Sequence, residues 1–196
     1  MNESVSVAFW PRLFLWLLLA SPGAFWLQGY LRGELYYGEF LHTTGQFSAQ
    51  LLIATLAVTP LRRLFSRMAW TAWLVRQRRY LGVAAFGYAL PHALAYLVKL
   101  ASLQRIASEA IEPGLATGWL ALLLMAPLAA TSLDAAVRRL GRRWKQLHRL
   151  VYPAAALTLA HWVLTAFDPT AGLVHAAILV MLVSLRLVVQ RRRRLT

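Results

Sequence analysis

The histidines are the side chains of this sequence best suited to chemistry, because three of the five lie in long apolar stretches. His92 belongs to YLGVAAFGYALPHALAYLVKL, and KQLHRLVYPAAALTLAHW contains both His148 and His161. An ionisable ring inside a membrane segment is costly, so each of the three is a candidate functional residue. The alternative is a neutral imidazole that only hydrogen-bonds a neighbouring helix. His42 and His175, near the ends of their segments, fit that structural role.

The composition favours lipid as the solvent of this chain. Of the 196 residues, 59% are hydrophobic, whereas an ordinary soluble domain is roughly 45–50% apolar. The net charge is +14, but the basic residues form short clusters between apolar runs, which indicates membrane topology rather than nucleic-acid binding. Cysteine is absent, which excludes disulfides, thiolate-held iron–sulfur clusters and covalently attached c-type haem.

The elements that must position the histidines are membrane helices, because six segments are each close to the length of about 20 apolar residues that a span needs. We predict an all-α polytopic membrane bundle of six transmembrane helices, at about 9–28, 42–61, 80–100, 114–133, 148–167 and 171–189. The second segment is the weakest, since its clean apolar part is short. No repeat or linker divides the chain, so residues 1–196 are interpreted as a single domain with its core at 40–189.

The basic residues predict the orientation of this bundle. Eighteen of the 21 Lys and Arg fall on one side, which comprises the loops 62–79 and 134–149 and both termini. The positive-inside rule therefore places the N- and C-termini in the cytoplasm. Most of these arginines are interpreted as solvated anchors for anionic lipid head groups.

The histidines of two segments fall at matching depths. Segments 80–100 and 148–167 both run outward from the cytoplasm, so they are parallel. At about 1.5 Å per residue, His92 lies roughly 21 Å beyond Arg78, and His161 lies roughly 20 Å beyond His148. Two imidazoles that face each other at the outer level could ligate a haem iron from both sides. Arg78 and His148 share the inner level.

The spacing of His148 and His161 raises a geometric difficulty. Thirteen residues rotate an ideal helix by about 220°, which puts the two rings on different faces. Pro153 lies between them, and an interior proline kinks or locally unwinds a helix. We therefore expect Pro153 to help bring both rings to one side.

The spacings between Arg78 and His92 and between His148 and His161 resemble those of the ferric-reductase-like transmembrane domain of NADPH oxidases and ferric reductases. The string RRYLGV…ALPHALAY…TSLDAAVRRLGRRWKQLHRLVYPAAALTLAHW is more specifically similar to the haem-binding subunits of bacterial periplasmic protein-methionine-sulfoxide reductase systems. The resemblance covers essentially the whole chain and is strongest over 76–162.

This resemblance implies an electron-transfer subunit of the bacterial inner membrane with one or two haems b, and with FMN as a further cofactor. Electrons would come from the quinone pool or from a cytoplasmic flavin reductase. They would pass to a periplasmic molybdopterin-containing subunit that repairs oxidised methionine, so the catalytic site would lie on that partner. The implied iron ligands are His92, His161 and His148, and Arg78 and Arg79 are implied to bind cofactor.

Arg78 departs from the wider superfamily, because it stands where a fourth histidine would pair with His148. Arginine is effectively always protonated and is therefore a poor iron ligand. Three alternatives remain open: an inner haem with one strong ligand, no inner haem, or a propionate or flavin phosphate held by Arg78. Arg79 could serve the same role, since a guanidinium fork suits both anions.

Truncation is the second departure, because the chain ends at RRRRLT without a dinucleotide-binding motif. We therefore expect electrons to arrive from another molecule. Two other functions remain as alternatives. One is a haem-dependent metalloreductase that acts on an outer substrate such as ferric iron, and the other is a transporter whose histidines relay protons.

Overall fold

The computed structural model describes residues 3–195, but the side chains of residues 3–12 and 189–195 are outside the described set. The side chains of Arg12 and of the run Arg191 to Arg194, which enter the charge balance, therefore lie outside the described set. Over the described range the regular elements are α1 Glu3–Leu31, α2 Tyr37–Leu64, α3 Ala69–Leu100, α4 Leu103–Glu109, α5 Pro113–Ala130, α6 Asp134–Leu140, α7 Arg142–Leu147, a 3₁₀ turn His148–Leu150, α8 Val151–Thr165 and α9 Thr170–Leu195. No strand occurs in this range, so the predicted all-α class is confirmed.

Four of the described helices are long and apolar enough to cross a membrane, at Leu13–Leu31 of α1, Ala69–Leu100, Pro113–Ala130 and Thr170–Val188. Helix α2 has 28 residues and is long enough to span, but polar side chains lower its hydropathy. It is therefore not among these four helices. Helix α8 has 15 residues, which at about 1.5 Å each is shorter than the roughly 30 Å hydrocarbon core. The observed helix is shorter than the one expected at 148–167, because the first three of those residues form a 3₁₀ turn and α8 already ends at Thr165.

Two helix pairs form the centre of the bundle, since α2 packs mainly against α3 and α5 packs mainly against α8. Helix α9 packs on α2 and α8, and α1 packs on α2 and α3. The buried contact surfaces contain Ala49, Ala84, Ala85, Ala154 and Ala155. Such small side chains let helix backbones approach closely in a membrane. The Ser48 hydroxyl uses this proximity and donates a 2.7 Å hydrogen bond to the Ala85 carbonyl oxygen across α2 and α3.

Helix α1 is attached to α3 by the hydroxyl of Tyr88. The Gly23 N–H donates to this hydroxyl at 2.8 Å, and the hydroxyl donates to the Leu19 carbonyl oxygen at 2.7 Å. In an uninterrupted helix Gly23 would bond directly to Leu19 four residues earlier. The tyrosine is therefore inserted into the hydrogen-bond ladder of α1, just after Pro22, and this insertion fixes α1 on the bundle.

The change of winding that separates His148 from His161 lies before Pro153. This proline is the third residue of α8, in the first turn, where a missing N–H removes no intrahelical bond. The expected interior kink is replaced by the 3₁₀ turn at His148–Leu150. A 3₁₀ turn rotates the chain by about 120° per residue, whereas an α-helix rotates it by about 100°. Three such residues reduce the angle between the His148 and His161 side chains, viewed along the helix axis, from about 140° to about 80°.

Candidate functional site

His92 of α3 and His161 of α8 meet inside the bundle. Their ring centroids are 6.0 Å apart, and the ring planes are perpendicular at 89°. The two residues are 69 positions apart in sequence, so only the packing of the helices brings them together. The structure thus pairs the two histidines that share the outer level.

Each imidazole is oriented by a backbone carbonyl on another helix. Nδ1 of His92 lies 3.0 Å from the Leu41 carbonyl oxygen of α2, and Nδ1 of His161 lies 2.8 Å from the Gly114 carbonyl oxygen of α5. A carbonyl oxygen only accepts, so Nδ1 is the protonated nitrogen that donates in both rings. Nε2 of each neutral ring therefore keeps its lone pair, which is the arrangement typical of metal-ligating histidines.

The spacing of the two rings fits one metal ion between them. A bond from a metal to an imidazole nitrogen is about 2 Å long, and this nitrogen lies about 1 Å from its ring centroid. Two imidazoles on opposite sides of one metal therefore have centroids about 6 Å apart, which agrees with the observed 6.0 Å. Among the described residues no group of three or more His, Asp or Glu side chains could hold a metal ion.

Two glycines leave the space that the imidazoles occupy. A Cβ added to Gly118 of α5 would lie 2.7 Å from Nδ1 of His161, and a Cβ added to Gly45 of α2 would lie 3.0 Å from Nδ1 of His92. Side chains at these positions would displace the rings. These glycines, and the carbonyls of Leu41 and Gly114, were missed by the sequence reasoning, although a glycine inside an apolar segment is a visible signal of close approach.

A cavity of about 510 Å³ opens beside the two histidines. It is bounded by α2, α3, α5 and α8, and its lining includes the small residues Ala49, Ala89, Ala93 and Ala121 and the flat rings of Tyr37, Tyr96, Trp119 and Trp162. This volume lies within the usual range of about 300–1,000 Å³ for cofactor pockets. The small and flat walls suit a planar apolar ligand.

At the inner end, Arg78 and Arg79 have different partners. Nη2 of Arg79 forms a salt bridge with Asp134, and Nη1 of Arg79 donates to the Ser132 carbonyl oxygen at 3.3 Å. Within the described side chains, Arg78 makes a single hydrogen bond, to the Thr59 hydroxyl at 3.3 Å. Arg79 therefore holds the start of α6, and Arg78 retains most of its donors for another ligand.

His148 presents a single nitrogen at this inner level. Its Nδ1 donates to the Trp144 carbonyl oxygen at 3.1 Å, and its ring stacks on that tryptophan at 3.8 Å. Nε2 of His148 is buried and has no hydrogen-bond partner among the side chains and backbone that the structure describes. Arg78 and Arg79 are near enough to interact electrostatically with this ring. His148 does not line the outer cavity.

His42 and His175 flank the outer cavity on the side of Trp162. His42 belongs to the cavity wall, although the sequence interpretation left it a structural role only. His175 lies 4.9 Å from Trp162, ring centroid to ring centroid. Its Nδ1 donates to the Ala171 carbonyl oxygen at 2.7 Å, and its Nε2 lies 3.4 Å from the Gln50 amide nitrogen. These local bonds agree with the structural role of His175.

Residues 41–159 match the family model described as ferric reductase like transmembrane component. The matched range contains His92 and His148 and covers more than half of the chain. It includes the helices α3, α5 and most of α2 and α8, which bound the outer cavity.

Several curated proteins named protein-methionine-sulfoxide reductase heme-binding subunit MsrQ are similar to this chain. The protein from Ralstonia nicotianae is 40% identical over 187 residues, which are 89% of this chain and 83% of the relative. The protein from Xanthomonas campestris pv. campestris is 41% identical over 152 residues, or 76% of this chain and 68% of the relative. The protein from Rhizobium meliloti is 44% identical over 130 residues, which are 65% of this chain but only 58% of the length of that relative.

Proposed function

The chain belongs to the ferric-reductase-like transmembrane family and, within it, to the MsrQ haem-binding subunits, and on that premise we propose that it carries electrons across the bacterial inner membrane on haem b. The haem supplies a one-electron carrier, and the protein supplies its position, its insulation from water and the tuning of its potential. The acceptor is a periplasmic molybdopterin-containing reductase subunit that repairs methionine sulfoxide in proteins. That chemistry takes place on the partner.

The pair His92 and His161 carries this proposal. Both rings are held as the tautomer with a free Nε2, and their centroids lie 6.0 Å apart, so these two residues would hold the iron of a bound haem. Walls of small and aromatic residues beside them leave room for a flat macrocycle. We assign the outer haem to this site.

His148 is proposed as the single histidine ligand of an inner haem. Its free and buried Nε2 supports this role. Arg78 is proposed to bind an anionic group of the inner cofactor, either a haem propionate or the phosphate of FMN. Arg79 contributes positive charge there, but its partners Asp134 and Ser132 support a positioning role.

We further propose that the chain crosses the membrane six times, that both termini lie in the cytoplasm, and that residues 1–196 form one domain. Helix α2 crosses at the centre of the bundle, where Thr44, Ser48 and Thr55 are buried and hydrogen-bonded to backbone carbonyls. A helix surrounded by other helices does not need lipid-facing side chains all round, which accounts for its low hydropathy. Helix α8 is extended toward the cytoplasm by the 3₁₀ turn and α7.

The quinone pool or a cytoplasmic flavin reductase is proposed as the electron donor. Quinol would reach the haem from the lipid, and a flavin reductase would approach the basic inner loops. Reduction of the purified protein by a quinol analogue, compared with reduction by reduced flavin, separates these two sources.

The assignment of the outer haem is tested by His92→Ala and His161→Ala in the full-length chain, with His175→Ala as the matched control. We expect each of the first two variants to lose most of the outer haem, measured as haem per chain and as the Soret band that shifts on dithionite reduction. His175→Ala should retain it, because this ring lies outside the cavity. Full haem retention in both test variants contradicts the assignment, and a colourless parent protein contradicts the function and favours the transporter.

A further inference from the structure

Four arginines from four different elements converge at the inner end of the bundle. Arg186 of α9 interacts electrostatically with Arg63 at the end of α2, Arg78 of α3 and Arg149 of the 3₁₀ turn. Nη1 of Arg63 also donates to the Arg186 carbonyl oxygen at 3.4 Å. We call these four residues the inner arginine cluster.

The cluster gathers positive charge with little compensation from the protein. Among the described side chains the only carboxylate at this end belongs to Asp134, which forms its salt bridge with Arg79 outside the cluster. Like charges in a partly buried site repel one another and are costly unless an anion is bound.

Buried polar atoms without partners lie on the helices that carry this cluster. Nε2 of His148, the hydroxyl of Tyr152 and Oε1 of Gln77 are buried and make no hydrogen bond in the described part of the chain. Tyr152 follows His148 by four residues, across the 3₁₀ turn His148–Leu150. The Arg186 guanidinium carbon lies 5.0 Å from the centroid of the Tyr152 ring. A cation therefore lies over the ring of a tyrosine whose hydroxyl makes no hydrogen bond within the described part of the chain.

We propose that Arg186 and the Tyr152 hydroxyl, supported by the other arginines of the cluster, bind an oxyanion carried by the inner cofactor. A guanidinium fork matches a carboxylate or a phosphate, and a phenol adds a further donor. The ligand class is a planar cofactor that bears such a group, either a haem through its propionates or a flavin mononucleotide through its phosphate. The identity of the cofactor rests on the proposed function, whereas the oxyanion site rests on the cluster itself.

The test compares Arg186→Gln with Arg143→Gln in the purified full-length protein. Both changes remove one positive charge from the inner end, but Arg143 is exposed on α7 and outside the cluster. Haem per chain, flavin released on denaturation, bound phospholipid and the midpoint potential of each haem component are measured. We expect Arg186→Gln to lower the affinity for the inner cofactor by about tenfold or more. If haem is retained there, its midpoint potential should fall, because a nearby cation favours the reduced form.

The measured losses identify the source of the oxyanion. Loss of haem indicates propionates, and loss of flavin indicates the phosphate ester. Tyr152→Phe keeps the ring beneath Arg186 and should weaken the same ligand by a smaller factor, so it tests the site even if Arg186→Gln folds poorly.

Three outcomes overturn the proposal. One is an unchanged ligand content and potential in Arg186→Gln, another is a loss of phospholipid alone, and the third is a parent protein that holds only the outer haem and no flavin. None of these affects the assignment of His92 and His161, whose variants test the proposed function separately.

Discussion

Replacing Gly118 by alanine should displace the His161 imidazole from the cavity wall. The new Cβ would stand 2.7 Å from Nδ1 and 2.9 Å from Cε1 of His161, whereas ordinary van der Waals contact begins at 3.4 Å. Both contacts are with a rigid ring rather than with a flexible chain end. The imidazole therefore has to retreat from α5 by about 0.7 Å to relieve the closest contact.

This retreat also removes the bond that orients the ring. Gly114 lies one turn before Gly118 on the same helix, so a ring that moves away from α5 moves away from the Gly114 carbonyl oxygen. Its 2.8 Å hydrogen bond would lengthen to about 3.5 Å, where it contributes little. Loss of such a supporting bond typically weakens metal binding by about 10–100-fold, equivalent to about 1.4–2.8 kcal/mol.

The assay is a haem titration of the purified variant, followed by the visible spectrum of the ferric form. We expect the 10–100-fold loss of affinity together with a changed ligand field, because the His161 nitrogen no longer points at its parent position. Gly87→Ala is the matched control, since a Cβ there meets open space in α3. Haem affinity within about twofold of the parent and an unchanged ferric spectrum in Gly118→Ala would show that the ring is not held in this way.

Three further perturbations test other contacts of the bundle. Gly45→Ala places its Cβ 3.0 Å from the His92 ring, which is a smaller overlap than at Gly118. The haem affinity of this variant should therefore fall less than that of Gly118→Ala in the same titration. An equal or greater fall contradicts the idea that the size of the overlap sets the loss of affinity. His148→Ala should leave the outer haem in place and remove or alter only a second spectral component, and loss of all haem contradicts two separate levels. Tyr88→Phe removes two hydrogen bonds to α1 and allows one direct helix bond to form, so it should destabilise the fold by about 1 kcal/mol. Thermal unfolding in detergent should then show a midpoint lower by about 2–4 °C. An unchanged midpoint contradicts the claim that the Tyr88 hydroxyl stabilises the attachment of α1.

The sequence alone determined the properties that depend on local composition and on helix rise. Long apolar runs predict membrane helices, and the regular elements of the described range are all helices. The depth shared by His92 and His161 also follows from sequence, because every helical residue advances by the same distance. The motifs around these histidines identified the family, which the comparisons confirm.

The tertiary structure alone decided which groups on different helices touch. The carbonyls of Leu41 and Gly114 that orient the imidazoles belong to α2 and α5, and no periodicity within α3 or α8 identifies them. Adjacent arginines in one motif also proved unequal, since only Arg79 finds a carboxylate. Helix-to-helix contacts depend on the rotation and approach of whole helices, and these are set by packing throughout the bundle rather than by the spacing of residues in one segment.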